Sequence, residues 1–463
     1  MLARLHSSAG RRPVWTTAVA LGAGALLAAV GWNWQGGDAK AAVSRAAAAA
    51  LPKPLACLQT SAAAEPKPVG LIALVRITDT DPATPVVPSA VFANEAISGV
   101  QVYIGWNDLQ PASFDSLDAS VIHAVDEIFC EADAQHKFVV LTPQPGFYTP
   151  VWALCPGASG DWAPKLNCPA KPSPSGSCSG RVASSQFTYS YGGAAGPRQL
   201  PLPWDPTYLC RWFALLHLLD ARYGANPAFS MISADGPTSV SEEMSLPDNP
   251  SGDSGLPASY PLPPAAGTPI GGDDFTMWGA LGYTPAVYEA AWQKVFEQYA
   301  NSFARQYVSF SLFDGLPIPT SSCDAACQTS ATLDAVFGEG AQDLDKDAVK
   351  RFVFQGDGLK ANNTSQHYQY VESKDGTIGA TGFQTTNNTK LGGSVDDLAG
   401  ALERGIAAGV NFIEFYESDV YDGDTENPGF QCALEAAAVH WKTGPVCPPG
   451  VSKPPKPCGD TCT

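Results

Sequence analysis

The sequence predicts an α/β fold, a single (β/α)₈ barrel with long loop insertions. Three observations predict it. Eight short apolar runs recur along the chain, helical patterns separate most of them, and no G-x-G-x-x-G follows the first run. Near-continuous apolar runs suit parallel strands buried on both faces, and their alternation with helices suits a barrel. The missing glycine motif sets aside the open sheet that binds dinucleotides.

The runs are Gly70–Ile77, Gly99–Trp106, Lys137–Thr142, Phe229–Ala234, Val308–Phe313, Arg351–Phe354, Ile378–Phe383 and Asn411–Tyr416. Helical patterns cover Leu117–Ala134, Asp205–Tyr223, Pro285–Gln306 and Ser394–Ala408, with Phe430–Trp441 as a closing helix. Asp205 before Pro206 is a helix cap followed by a first-turn proline. Between Gly146 and Pro203 lies a connection too long for a simple loop. Its Trp152, Trp162, Phe187, Tyr189 and Tyr191 are expected to wall a cleft, and its Cys155, Cys168 and Cys178 to staple it.

The flanks differ from this core. Residues 1–41 read as a signal peptide or membrane anchor: Arg4, Arg11 and Arg12 precede the uncharged run Val14–Trp32, and Ala39-Lys40-Ala41 has a cleavage pattern. A run of about 20 apolar residues can also span a bilayer, so cleavage and anchoring both stand. Either predicts a secreted, periplasmic or cell-surface protein. Residues 42–68 form an Ala/Pro-rich linker expected to lack order, 69–443 the barrel, and 444–463 a Pro/Cys-rich tail. Twelve cysteines, an even number, predict disulfides in an oxidising compartment. Cys323/Cys327 and Cys458/Cys462 are spaced to close tight loops.

The formal net charge is -18, and without residues 1–41 there are 23 basic against 44 acidic residues. Such a surface repels nucleic acid and anionic membranes; neutral or cationic partners fit it. No nucleic-acid partner is expected, and membrane contact only through the N-terminal segment.

In a barrel of this kind the active site lies where the strands end at their C-termini. There the sequence places Trp106, Asn107 and Asp108 after the second run, and Tyr148 and Trp152 after the third. Asp235, Glu242 and Glu243 follow the fourth. Gln355 follows the sixth, Gln384 the seventh, and Glu414, Tyr416 and Asp419 belong to the eighth. Carboxylates supply acid, base or nucleophile, amides bond to hydroxyls, and aromatic faces stack on sugar rings. Two carboxylates flanking a glycosidic bond are the requirement for its hydrolysis. No H-E-x-x-H, phosphate loop or G-x-S-x-G elbow appears, so neither metal nor cofactor is expected and a serine esterase is disfavoured. Strand alternation puts Phe412, Glu414 and Tyr416 on one face. A carboxylate there needs partners; a structural pairing with Arg76 is the plain alternative to catalysis. For Glu242 and Glu243 the plain alternative is a solvated loop.

The segments GVQVYIGWNDLQP, KFVVLTPQPGFYTPVW, LPWDPTYLCRWFALLHLLDARYGANPAFSMISADGPTSVSEEM and NFIEFYESDV resemble clan A glycoside hydrolases, which are TIM barrels, and a β-galactosidase-like bacterial group among them. That resemblance implies an acid/base Glu after the fourth strand and a nucleophile Glu ending the seventh. Here Asp235-Gly236 stands in place of the usual Asn-Glu, and Gln384 ends the seventh run. The resemblance therefore assigns the acid to Glu243, with Glu242 next, and the nucleophile or base to Glu414. Gln355, Gln384, Asn107 and Tyr416 would position the sugar; Trp106, Trp152 and Tyr148 would be its platforms. The expected function is an exported glycosidase acting on a neutral oligo- or polysaccharide. The rivals are a carbohydrate-binding barrel without activity and another enzyme class on the same scaffold.

Overall fold

Each apolar run forms a strand whose two faces are both covered, one by helices and one by the barrel's own interior. The structure, a computed structural model, describes residues 53–59, 66–77, 86–114, 116–154, 178, 182–189, 196–240, 243–247, 274–312, 325–346, 349–362, 366–386, 395–422, 425–426 and 428–443. The strands are β1 (Gly70–Ile77), β2 (Ile97–Gly105), β3 (Phe138–Gln144), β4 (Phe229–Ser233), β5 (Tyr307–Leu312), β6 (Phe352–Leu359), β7 (Ala380–Thr385) and β8 (Phe412–Tyr416). They close in the order β1-β8-β7-β6-β5-β4-β3-β2, every pair parallel. This is the TIM barrel, and all eight expected strands are present.

The helices are α1 (Ser89–Ala93), α2 (Ala119–Ala134), α3 (Pro206–Tyr223), α4 (Pro285–Ser302), α5 (Ala325–Leu344), α6 (Gln366–Glu372), α7 (Val395–Ala407) and α8 (Pro428–Thr443). Asp205 caps α3, accepting from the Tyr208 amide at 2.8 Å. Asp118 caps α2 in the same way. Helices α1, α5 and α6 were not among the sequence expectations.

Inside the barrel the floor is apolar. Ile72, Phe138, Val140, Met231, Val353, Ala380 and Phe412 form a cluster separate from the larger core between strands and helices. Two residues further along most of these strands, the same inward positions turn polar: Gln101, Thr142, Ser233, Ser309, Gln355, Gln384 and Glu414. The sequence thus builds a dry plug below and a hydrogen-bonded layer above it, towards the C-terminal mouth.

Two stretches assigned to the linker are tied to the barrel. Cys57 is disulfide-bonded to Cys130 on α2, and the Ser230 hydroxyl donates to the Pro66 carbonyl at 2.6 Å. Order over 53–59 and 66–68 therefore comes from a covalent tether that composition alone does not reveal. A second disulfide joins Cys178 to Cys210 on α3. Cys323, the pair Cys458/Cys462, the run Val14–Trp32 and the tail lie outside the described residues, while Cys327 falls on α5.

The outer helices carry one buried ion pair. Asp126 on α2 accepts from Arg222 Nε at 2.8 Å and from the Tyr223 hydroxyl at 2.9 Å on α3. The ion-paired side chains are 1–2% exposed. Removing one partner strands the other charge in the interior. Asp126→Ala is expected to lower unfolding free energy by about 3–5 kcal/mol, read as an earlier urea midpoint.

Candidate active site

The polar layer is organised around Glu414. This carboxylate on β8 is fully buried. Gln355 Nε2 donates to its Oε2 at 2.8 Å, and Gln384 Nε2 to the same atom at 3.4 Å. With the Gln101 amide nitrogen turned towards it, as the surrounding donors and acceptors require, Gln101 donates to Oε1 and Oε2 at 2.8 and 2.7 Å. The Gln101 oxygen then accepts from Thr142 Oγ1 at 3.0 Å. Thr142 Oγ1 meets Ser233 Oγ at 2.8 Å, and Ser309 Oγ reaches Ser233 Oγ at 3.2 Å. One hydrogen-bonded belt thereby runs through side chains from seven of the eight strands, with the charge at one point on it. Three amide donors supply the compensation that a buried carboxylate requires.

Above the belt stands a second acidic group. Glu243 leaves the loop after β4 and makes a one-residue parallel bridge to Ser311 on β5, fixed by the Met244 amide donating to the Ser311 carbonyl at 3.0 Å. Its carboxyl hydrogen-bonds to Asp357 on β6. Asp357 also accepts from the Ser311 hydroxyl, and from Gln355 Nε2 at 3.3 Å. Burial pushes Asp357 up to about 6, against the pull of the Ser311, Gln355 and Glu243 hydrogen bonds. Two carboxyls in direct contact share a proton, because both cannot ionise cheaply at that distance. Gln355 Nε2 bridges this pair to Glu414. Oxygens at 2.8 and 3.3 Å from one nitrogen lie no more than about 6 Å apart, so Glu414 Oε2 and Asp357 Oδ1 are neighbours across that amide.

The other wall forms over Gly105 at the end of β2. A Cβ there would sit 2.5 Å from Asn107 Oδ1, 2.6 Å from Asp108 Oδ2 and 3.2 Å from Tyr148 Cδ1. The missing side chain lets these three groups gather at the rim, where Asn107 is exposed and Asp108 and Tyr148 half-buried. Burial and the Asp118 charge raise Asp108 above the usual carboxylate range. Tyr148 is placed by Gly146, whose φ of +60° and close approach to the Ser239 carbonyl exclude any side chain. On β7, Gln384 Nε2 also bonds to the Tyr103 hydroxyl at 2.8 Å, and the Tyr416 hydroxyl donates to Gln384 Oε1 at 3.3 Å. The Arg76 guanidinium lies 4.8 Å over the Tyr103 ring. After β8 the turn Glu417–Asp419 carries two more carboxyls; burial and the Asp419 charge push Glu417 up to about 7.

Several expected site residues thus come together: Glu243 and Glu414, Gln355 and Gln384, Tyr416, and the Asn107, Asp108 and Tyr148 group. Three do not reach the mouth. Trp106 is fully buried, with Trp152, Tyr208 and Trp212 packed around it at 5.2–6.0 Å. Trp152 is 4% exposed and donates to the Gln110 carbonyl. Neither ring has a free face, so both are corrected from sugar platforms to core. Asp235 is fully buried too, close enough to Tyr208 and Tyr299 to raise both phenols, and lies beneath the mouth rather than in it. In the long connection, Phe187 is stacked on Trp278 at 4.3 Å and buried, so it packs instead of lining a cleft. Glu242, Trp162 and Tyr191 lie outside the described residues. Asp419 is buried at the β8 turn. Reasoning from the sequence places Asp357 at the rim after the sixth run but gives it no role, and it passes over Gln101 and Tyr103 as site residues; period-two alternation along β2 and β6 is the signal that places all three on the inward face.

No family model matches the sequence, and no curated protein matches it. Among solved structures, the chain is similar to the catalytic domain of a β-amylase from Paenibacillus polymyxa, with 10% identity, 80% of this chain and 98% of that one covered, and a TM-score of 0.43. It is similar to a β-mannanase from the blue mussel Mytilus edulis, with 10% identity, 81% and 92% covered, and a TM-score of 0.43. It is also similar to an exo-β-1,4-mannosidase from Opitutaceae bacterium strain TAV5, with 11% identity and a TM-score of 0.43; 85% of this chain is covered and 63% of that one. These neighbours are glycoside hydrolases by name. At such identities and scores the likeness says nothing about reaction or substrate, and the barrel assignment rests on this chain's own strand order.

Proposed function

We propose that the chain is a glycoside hydrolase acting on an oligo- or polysaccharide that bears no negative charge. One observation carries this reading: Glu243 and Asp357 share a hydrogen bond at the C-terminal mouth, and one amide, that of Gln355, links them to Glu414. Glu243 protonates the leaving glycosidic oxygen, and Asp357 keeps that proton available near neutrality. Glu414, fixed in its cage of amides, supplies negative charge beneath the sugar as positive charge develops on the ring. Gln384 and Tyr416 orient the ring from one side, and Asn107, Asp108 and Tyr148 from the other. The narrower placement in the β-galactosidase-like group belongs to this proposal and rests on the sequence segments alone. So does export, which the disulfides Cys57–Cys130 and Cys178–Cys210 support through their need for an oxidising compartment.

A second reading, a carbohydrate-binding barrel without turnover, is favoured by the full burial of Glu414. A panel of glycans incubated with the full chain and assayed for new reducing ends separates the two. Release from at least one substrate, lost in Glu243→Gln, supports hydrolysis. Saturable binding of a saccharide with no release, unchanged in Glu243→Gln, supports the binding protein.

A further inference from the structure

The balance of charge around the mouth is lopsided. Asp108, Glu243, Asp357, Glu414, Glu417 and Asp419 all stand at or just below the C-terminal ends of the strands. Among the described residues there, the cations are Arg76, engaged over the Tyr103 ring, the exposed Lys360 just past β6, and Arg198 on the strand Gly196–Pro201 that packs against Gly146–Tyr148. A second, independent feature lies in the same place. Gln355 Oε1 is an acceptor on a fully buried side chain beside Asp357 and Glu414, and no donor among the described residues reaches it. On β3, three strands away, Gln144 Nε2 is a buried donor that no acceptor among the described residues reaches. A buried acceptor without a donor is unfavourable, so a ligand that supplies a donor is favoured here.

An ammonium group has three donors and no acceptor, and matches carboxylates beside an orphan carbonyl oxygen. A ring hydroxyl, which can accept, suits Gln144. We propose that the saccharide bound at this mouth carries free amino groups: a de-N-acetylated hexosamine oligomer whose ammonium sits against Asp357 and Gln355 Oε1. This rests on the glycosidase reading for its site, but not on turnover, because it is a statement about binding. N-acetylation would remove the charge and replace a donor-rich head with a bulkier amide.

The test is the affinity of the full chain for trimers of glucosamine and of galactosamine, measured by calorimetry at pH 7.5 and low salt, against the same trimers after N-acetylation. Short oligomers limit the general attraction of a polycation to a protein of net charge -18. Binding of one free-amine trimer at least tenfold tighter is expected, with the preference reduced to threefold or less in Asp357→Asn. Thermal melting and circular dichroism establish that the variant is folded; Glu417→Gln, on a different element, is the second variant and is expected to reduce the preference as well. Equal or tighter binding of the acetylated trimers, or binding of neither, overturns the proposal. So does a preference that survives in both variants, since it then belongs to the general surface. Cleavage of neutral glycans alongside any of these results leaves the hydrolase reading standing while this one falls.

Discussion

Asp357→Asn is expected to lower kcat on a cleaved saccharide by about tenfold near pH 7, because above the alkaline limb each pH unit by which that limb moves down costs about a factor of ten. In the native chain Asp357 titrates at about 6, chiefly because burial disfavours its charge. Its hydrogen bond with Glu243 ties the two carboxyls to one proton. Asparagine holds the position but removes the negative neighbour, so Glu243 loses its proton at lower pH. The alkaline limb of the pH–kcat curve, falling through about 6 in the native enzyme, is therefore expected to move down by about one pH unit or more. A kcat loss with an unmoved limb would assign the proton to another group. The same shift has a sign for stability. A carboxyl raised above its unfolded value of 3.8 binds more protons in the folded state. Its contribution is full below the unfolded pKa and is lost as pH rises from about 4 to about 6. Asp357→Asn removes that slope, and melting temperatures measured across this window in both proteins check it.

The second large effect belongs to Glu414. Glu414→Leu fills the space but leaves the amide nitrogens of Gln101, Gln355 and Gln384 facing hydrocarbon. At about 1–3 kcal/mol for each of the three donors, the expected loss is about 3–9 kcal/mol of unfolding free energy. Glu414→Gln is a different case. Gln101 can turn its amide by half a rotation, and the Thr142 hydroxyl can donate or accept, so the belt rearranges and the fold survives. Urea melts of the two variants should separate by at least about 2 kcal/mol, by the same reckoning of orphaned donors. On the hydrolase reading, the folded Glu414→Gln protein nevertheless loses most of its kcat, because the fixed charge is gone. Full activity in that variant would reduce Glu414 to a structural member of the belt.

The barrel was legible because its strands are short, apolar and separated by helical patterns, and the period-two rule put Glu414 and Tyr416 on the inward face before any coordinates. What failed had identifiable causes. Helix α5 contains Gly338 and Gly340, which weaken its helical signal; at Gly340 a Cβ would lie 2.6 Å from the Phe352 ring, so close packing of helix on strand is the reason for the glycine. The sixth apolar run ends at Phe354 because Gly356 and Gly358 interrupt the apolar pattern beyond it. Carried on to Leu359, the same alternation turns Gln355 and Asp357 inwards together, and the carboxyl pair becomes visible. Trp106 stands at a strand end, where a platform would be, yet its place is set by Trp212 on α3, a contact across 106 residues of chain that no local pattern encodes. The tether of Cys57 to Cys130 is of the same kind, a long-range partnership that spacing leaves open.

The most direct test is one comparison: reducing ends released from a glycan panel, amino-sugar oligomers included, by the wild-type chain and by Glu243→Gln at pH 5.5. The account predicts release by the wild type and a loss of at least about 100-fold in the variant, the lower bound for removing a general acid. Equal release by both proteins, or none by the wild type from any glycan that it binds, would contradict it.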